Sequence, residues 1–460
     1  MRLDEDTIAA ISTAMSPSGI GIVRISGSDA VSIAEQIYHS PNRNKKLSGQ
    51  LSHTIHYGWI KDGDDFVDEV LLMLMRGPHT YTGEDTVEIN CHGGILSVKK
   101  VLETVINHGA RPAEPGEFTK RAFLRGRIDL SQAEAVMDVI SAKNDYALKN
   151  SLGQLKGSVL EKIKDIRGAI LYEDAYIESA LDDPEHINID GYGCKLKNIV
   201  DEQIKKIDKL LSTAGEGKMI QEGIKTVIVG KPNVGKSSLL NLLAGEEKAI
   251  VTDVAGTTRD ILEETINLQG ISLKMLDTAG IREASDKVEQ IGVERAKKHA
   301  KDADLILYVI DANVVLDDND RDIMELICDK KSIVLLNKSD LDCVVEKEDI
   351  ESILKVPILS VSAKKGLGIE ELENTIKDLF FNGEISFNDE VYITNERHKK
   401  SLQDARKSLE LVEESIRLNM PEDFFTIDLV NACESLGEIT GESVGEDLVN
   451  EIFSKFCTGK

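Results

Sequence analysis

Apolar positions change their spacing along the chain, and each change predicts a different architecture. Up to about Glu117, short apolar runs such as GIGIVRIS, EVLLMLM and TVEINC alternate with Gly and Pro punctuation, and one helical stretch falls near Ile95 to Ile106. That mixture predicts an α/β domain. Strand signals then stop. Ser131-Gln132-Ala133-Glu134 has capping-box spacing and predicts a helix start, and Leu196, Ile199, Val200, Ile204, Ile207, Leu210 and Leu211 form one helical stripe, with Gly215 and Gly217 as stop signals. From Ile224 to about Phe381 the pattern becomes strand, glycine loop, helix: KTVIVG, LKMLDTAG, LILYVIDA, SIVLLNKSD and PILSVSA read as strands of a doubly wound parallel sheet. Beyond it Leu402, Ala405, Leu409, Val412 and Ile416 repeat at three- and four-residue steps, so a long amphipathic helix is expected. The expected organisation is multidomain α/β plus α: an N-terminal α/β domain (1–118), a helical half (119–216), an inserted α/β module (217–382) and a second helical half (383–460).

The inserted module carries candidate chemistry. Gly230-Lys231-Pro232-Asn233-Val234-Gly235-Lys236-Ser237 matches G-x-x-x-x-G-K-[ST] between a strand and the helical SSLLNLLAG. Glycines in such a loop let backbone N–H groups surround phosphate oxygens, Lys236 brings positive charge to the β and γ phosphates, and Ser237 offers a hydroxyl to Mg²⁺, with Ser238 following it into the helix. Thr257 and Thr258 in VTDVAGTTRD suit a loop that closes on Mg²⁺, with Thr252, Val254, Ala255 and Gly256 alongside. In Asp277-Thr278-Ala279-Gly280 the carboxylate suits the metal's water shell and Gly280 the γ-phosphate. Asn337-Lys338-Ser339-Asp340 supplies a carboxylate at Asp340 that accepts both the ring N–H and the amino group of guanine, which adenine does not offer. Ser362-Ala363-Lys364 supplies a backbone donor beside the base oxygen. GTP is therefore the expected nucleotide.

Hydrolysis is less directly readable. Small GTPases follow the Asp-Thr-Ala-Gly core with a water-orienting glutamine, whereas this chain has Ile281. Arg259 and Arg282 are both near enough in sequence to leave an arginine finger open. Asn233 reads either as a loop residue or as an oxygen donor that, with carbonyls of the TDVAGT loop, holds a monovalent cation in place of a finger. Glu289 reads either as a solvated acid or as the group that orients water.

Composition narrows the setting. Fifty-five basic against 81 acidic residues give a net charge of −26, which opposes long-range attraction of a polyanion, so nucleic-acid contact calls for a local patch. Thr119 to Arg127 is one candidate: Lys120, Arg121, Arg125 and Arg127 occur there with no acid between them, and a solvated helix face is the alternative. Six scattered cysteines without C-x-x-C spacing argue against zinc and disulfides and for a reducing cytoplasm. No run approaches the length of a membrane span and no signal peptide is evident, so no integral membrane association is expected.

With the nucleotide motifs between helical halves, an N-terminal GIGIVRISG, the segment RPAEPGEFTKRAFLRGRIDLSQAEAV and the terminal FCTGK, the chain resembles the MnmE (TrmE) family of bacterial tRNA-modification GTPases along its whole length. The resemblance implies dimerisation of nucleotide domains during hydrolysis, K⁺ held by Asn233 with Thr252, Val254 and Thr257, Mg²⁺ held by Ser237 and Thr258, and catalytic roles for Lys236 and Glu289. It also implies a constitutive homodimer through the N-terminal domain and binding of formyl-tetrahydrofolate, the one-carbon donor, at Arg24, Glu88, Arg127 and Lys460. Without the resemblance, Arg24 and Glu88 read as ordinary strand residues. Arg127 departs from the lysine usual in the family, which changes the reach of that contact. Cys457 is implied to take part in the modification, against the plainer reading of a small buried hydrophobe, and Thr458 replaces a common isoleucine. The implied partner is the FAD-dependent protein MnmG (GidA) in a heterotetramer, with the wobble uridine of tRNA gaining an aminomethyl or carboxymethylaminomethyl group at C5. A ribosome-assembly GTPase switch is the rival reading, but it brings a basic RNA-binding appendage where this chain ends in an acidic helical segment. A dynamin-like membrane remodeller calls for an apolar paddle that the sequence lacks.

Overall fold

The computed structural model describes residues 6–42, 44–187, 189, 191–246, 264–268, 270–276, 302–381 and 391–459. The chain divides into two compact units, one formed by residues 1–137, 154–196 and 408–460, the other by 138–153 and 197–407.

The first unit is built on a seven-stranded sheet whose strands β1 (Ile8–Ile11), β2 (Ile20–Ser26), β3 (Tyr38–His39), β4 (Thr54–Asp62), β5 (Asp65–Met75), β6 (Thr86–His92) and β7 (Arg111–Pro112) lie in the order β3-β4-β5-β6-β2-β1-β7. All neighbours are antiparallel except β1 and β7. The apolar runs alternate, so one face collects Val23, Ile25, Leu72, Leu74, Val87 and Ile89 against the helices Ala30–Ile37 and Ile95–Asn107. On the opposite face, the helix Glu117–Leu124 covers the β1 end by packing Phe118 on Ile8 and Ala10, whereas Ile20, Ile55, Tyr57 and Leu71 remain exposed. Long helices complete the unit, among them Ser158–Asp182 packed on Asp423–Thr440.

In the stretch from Thr119 to Arg127, Arg121 and Arg125 fit neither reading, a basic patch or a solvated helix face. Arg121 is 4% exposed and meets Asp6 at 2.8 Å, Glu117 at 3.1 Å and Glu84 at 3.2 Å, while Arg125 reaches Glu84 at 2.7 Å. Three of those acids come from outside or the edge of the stretch, which is why the local sequence hides them. Breaking one partner out of so buried a set costs about 3–5 kcal/mol, so the arginines hold the helix to the sheet edge.

In the second unit, β8 (Ile224–Val229), β9 (Glu264–Leu268), β10 (Ile271–Met275), β11 (Leu305–Asp311), β12 (Ser332–Asn337) and β13 (Ile358–Ser360) lie in the order β13-β12-β11-β8-β10-β9. The expected strands are parallel, and β9 adds an antiparallel edge paired to β10, with Gly270 at φ +89° beside the turn. Successive side chains of the central strands enter two different cores. Ile228, Leu307 and Leu335 join the helices Lys236–Glu246 and Ile369–Phe381 on one face, and Val229, Tyr308 and Leu336 join Asp318–Ile327 on the other. Burial on both faces is what makes these strands read as continuous apolar runs.

Helix boundaries depart from expectation where local chemistry competes. The helix at Leu130–Ser141 is capped two residues earlier than the Ser131–Glu134 spacing suggests: Asp129 accepts from the backbone N–H groups of Ser131 at 2.7 Å and Gln132 at 3.2 Å, and Gln132 Oε1 accepts from Asp129 N–H at 3.0 Å. Gly215 and Gly217 do not stop a helix but lie inside one, Ala214–Glu222, after a break at Thr213. At Gly217 the Ile393 carbonyl comes so close that a Cβ would sit 2.4 Å from it, so glycine is there for packing.

Candidate nucleotide site and N-terminal ligand site

Strands β8, β11, β12 and β13 are mutually parallel, so their C-terminal ends share one edge of the sheet, and β8 stands where the chain turns from β10 on one side to β11 on the other. Such a switch point opens a crevice at the carboxyl edge. The glycine loop leaves β8 there, with left-handed backbone at Gly230 (φ +148°), Asn233 (φ +63°) and Gly235 (φ +99°). Lys236 opens the helix Lys236–Glu246, and its Nζ donates to the carbonyls of Gly230 at 2.8 Å and Lys231 at 2.6 Å. Burial pushes this ammonium below the ordinary lysine range.

Asn337, at the end of β12 and 2% exposed, joins the loops. Its Nδ2 donates to the Val234 carbonyl at 2.8 Å, and its Oδ1 accepts from the Ala363 N–H at 3.0 Å. Gly235 allows this approach, since a Cβ there would lie 2.2 Å from Asn337 Nδ2. Ser362 Oγ donates to Asp340 Oδ1 at 2.7 Å and holds that carboxyl below the usual carboxylate range, so Asp340 is an oriented anion that accepts hydrogen bonds. Lys338, left-handed at φ +64°, places its ammonium on Asp311. Asn233, Val234, Gly235, Lys236, Ser237, Ser238, Asn337, Lys338, Asp340, Ser362, Ala363 and Lys364 are thus carried by segments that the sheet brings to one edge. Thr252, Val254, Ala255, Gly256, Thr257, Thr258, Arg259, Asp277, Thr278, Ala279, Gly280, Ile281, Arg282 and Glu289 lie outside the described residues.

A second cluster forms in the first unit, at the border between the covered and exposed parts of its sheet. Arg24 and Glu88 are cross-strand neighbours on β2 and β6, and Arg24 Nε meets Glu88 Oε1 at 2.8 Å with both side chains about 15% exposed. The Arg24 guanidinium lies 5.4 Å from the Tyr81 ring centre and 5.6 Å from that of Phe118, and Arg127 lies 4.9 Å from the Tyr81 ring while donating to the Tyr81 carbonyl at 2.9 Å. The C-terminal tail enters the same place. Gly459, at φ +92° with room for no Cβ, offers its carbonyl to Ser12 Oγ at 3.2 Å and Arg24 Nη1 at 3.4 Å. Cys457 is exposed, not buried, and its carbonyl accepts from Gly116 N–H. Lys460 lies outside the described residues.

Two family models cover the chain: the GTP-binding protein TrmE N-terminus matches residues 7–127, and the MnmE helical domain matches residues 130–457. The tRNA modification GTPase MnmE of Lachnoclostridium phytofermentans is 59% identical over 99% of both chains. Proteins of the same name from Acetivibrio thermocellus and Clostridioides difficile are each 50% identical, again over 99% of both chains. The chain belongs to the MnmE family of tRNA modification GTPases.

Arg24, Glu88 and Arg127 fall within the match to the TrmE N-terminus, and Cys457 is the last residue of the match to the MnmE helical domain. Tyr81 and Ser12 carry no signal of a site in the sequence, because an isolated aromatic or hydroxyl has no spacing to mark it. Asn337 was expected as a nucleotide contact, yet both ends of its amide are engaged by backbone. That bridge makes a prediction. Asn337→Ala leaves the Val234 carbonyl and Ala363 N–H without their partner, and GDP affinity measured by calorimetric titration falls by about 1.5–3 kcal/mol, roughly tenfold to a hundredfold. Unchanged affinity would remove Asn337 from the organisation of the site.

Proposed function

We propose that this protein is a GTP hydrolase whose cycle serves modification of the tRNA wobble uridine. The observation that carries the nucleotide reading is the joining of the glycine loop, the Asn337–Asp340 segment and the Ser362–Lys364 segment by the Asn337 amide at one sheet edge. In this reading backbone N–H groups from Asn233 to Ser238 and the Lys236 ammonium bind the phosphates, while Asp340 accepts from the guanine ring N–H and amino group. Ser237 and Thr258 offer hydroxyl oxygens suited to Mg²⁺. Thr252, Val254, Ala255, Gly256, Thr257, Asp277, Thr278, Ala279 and Gly280 complete the nucleotide contacts. Asn233 is exposed with a left-handed backbone, so its amide oxygen is a hard donor at the loop surface, and with Thr252, Val254 and Thr257 it would hold K⁺. That cation would supply the positive charge that a finger arginine supplies elsewhere, and Glu289 would orient water in place of the glutamine that Ile281 replaces.

For the first unit the reading is a folate site. A carboxylate at Glu88, guanidinium groups at Arg24 and Arg127 and the Tyr81 ring are the donors, acceptor and flat surface that a pterin with glutamate carboxylates needs, with Lys460 completing the set. Formyl-tetrahydrofolate would bring the one-carbon unit. Beside this cluster, Ile55, Tyr57 and Leu71 expose an apolar sheet face, which supports a homodimer through the N-terminal domain. The nucleotide domain, 217–382, is read as inserted between helical segments 119–216 and 383–460, which fits a helical-domain match spanning residues 130–457. The names of the relatives support tRNA as substrate, and the one-carbon chemistry calls for a redox partner, for which the FAD protein MnmG in a heterotetramer is the reading. Cys457, exposed on the tail whose Gly459 carbonyl meets Arg24, is proposed to act in that chemistry. Six free cysteines fit the cytoplasm, and among the described residues no helix is long and apolar enough to cross a membrane.

Nucleoside analysis of tRNA from cells lacking the protein is expected to show loss of the C5-modified wobble uridine; an unaltered profile overturns the tRNA role and leaves the GTPase reading standing. Turnover of GTP by the purified protein is expected to rise by about tenfold or more when K⁺ replaces Na⁺, a part of what a finger arginine contributes. Equal rates in the two salts would remove the cation from the account.

A further inference from the structure

Lys231 occupies a variable position of the glycine-loop motif, so the motif assigns it no task. In the structure its ammonium lies 2.9 Å from Asp317 Oδ2 and 2.7 Å from Asp320 Oδ2, with the side chain 20% exposed. Asp317 caps the helix Asp318–Ile327, accepting from the Asp320 N–H, while Asp320 Oδ2 accepts in return from the Asp317 N–H. Asp320 is 2% exposed, and its other oxygen takes the hydroxyl of Tyr308 at 2.9 Å. Tyr308 is fully buried on β11, in register with Val229, the last residue before the loop. A buried carboxylate with donors on both oxygens is a fixed point of the fold.

What this point fixes is the start of the loop. The backbone there is not held by regular secondary structure, and Gly230, Asn233 and Gly235 are all left-handed. Two side-chain ties restrain it from outside: Asn337 holds the Val234 carbonyl near its end, and Lys231 holds its first turn. The Lys231 carbonyl is also one of the two acceptors of Lys236 Nζ. The side chain of Lys231 therefore determines where an oxygen that positions Lys236 sits.

We propose that Lys231 is a positioning residue of the phosphate-binding loop: clamped by Asp317 and the buried Asp320–Tyr308 pair, it holds the first turn in the shape that presents Lys236 and the loop N–H groups to a nucleotide phosphate. This rests on the reading of residues 230–237 as the phosphate loop. The Lys231 ammonium is taken up by two carboxylates of the domain body, so the loss of the clamp weakens nucleotide binding without removing a group assigned to act on GTP. It also carries polarity: an ammonium at this place is matched to two carboxylates, and a neutral side chain leaves Asp320 an unbalanced buried anion.

The test compares the full-length parent, Lys231→Met, Lys231→Arg and Tyr308→Phe for binding of a fluorescent GDP derivative and for steady-state GTP turnover, at a temperature well below the melting point of each. Lys231→Met is expected to raise the dissociation constant and KM by about tenfold, the scale of losing a charge-assisted hydrogen bond, with kcat within about twofold of the parent. Lys231→Arg, which keeps the charge, is expected to recover most of the affinity. Tyr308→Phe, which removes one donor to Asp320 and fills the same space, is expected to weaken binding by a smaller factor and serves as the decisive variant if Lys231→Met does not fold. Lower melting temperatures with parental affinity and KM would make the clamp merely structural and overturn the proposal. A parent that binds no guanine nucleotide would instead overturn the phosphate-loop reading itself.

Discussion

A single side-chain amide sets the constraint on which the nucleotide module depends. Asn337 stands at the end of β12, buried, with one atom donating to the glycine loop and the other accepting from the segment after β13. Neither loop has a regular ladder to define its path, and each would otherwise have to be ordered separately against conformational entropy of about 1–2 kcal/mol per residue. Tying both to one residue on a rigid strand makes their relative placement a property of the sheet. Gly235 is needed for the tie to close, and Asp340, set by Ser362, inherits its orientation from the same pair of loops. The proposed phosphate contacts and the proposed base contact are therefore parts of one hydrogen-bonded assembly.

The first unit uses charge for a comparable purpose. Arg121, joined to Asp6, Glu84 and Glu117, fixes the helix Glu117–Leu124 over one end of the sheet and brings Phe118 against β1. That helix and the Tyr81 segment wall the Arg24–Glu88 pair, and the tail closes on it through the Gly459 carbonyl. A residue at the far end of the sequence thus accepts a hydrogen bond from Arg24 of the second strand, the same guanidinium that Glu88 engages. The tail that meets Arg24 through Gly459 also carries the exposed Cys457, two residues earlier, a juxtaposition that no linear spacing conveys.

Much of this was legible before any coordinates. Strands buried on both faces, β8, β11 and β12, announce themselves as unbroken apolar runs, and the glycine loop is recognisable because its chemistry requires consecutive residues. Long-range partners were not legible. The Thr119–Arg127 stretch looks like a basic patch only until Asp6 and Glu84 fold against it. Gly215 and Gly217 look like helix stops because the sequence does not display the Ile393 carbonyl that Gly217 accommodates. The Asp129–Gln132 cap competes in the sequence with the equally well-spaced Ser131–Glu134, near-equivalent local patterns between which the first turn of the helix decides. β9 is short, and with Ile266 and Leu268 alone facing the core it carried too few apolar positions to stand out.

The central claim is that these loops form one guanine-nucleotide site, with Asp340 accepting two donors from the base. Competition of GDP, IDP and ADP for the purified protein tests it most directly. IDP lacks only the amino group, so the account predicts that it binds about tenfold more weakly than GDP, the scale of one hydrogen bond to a carboxylate, and that ADP binds more weakly still. Displacement by ADP or IDP at the same concentrations as GDP would contradict it.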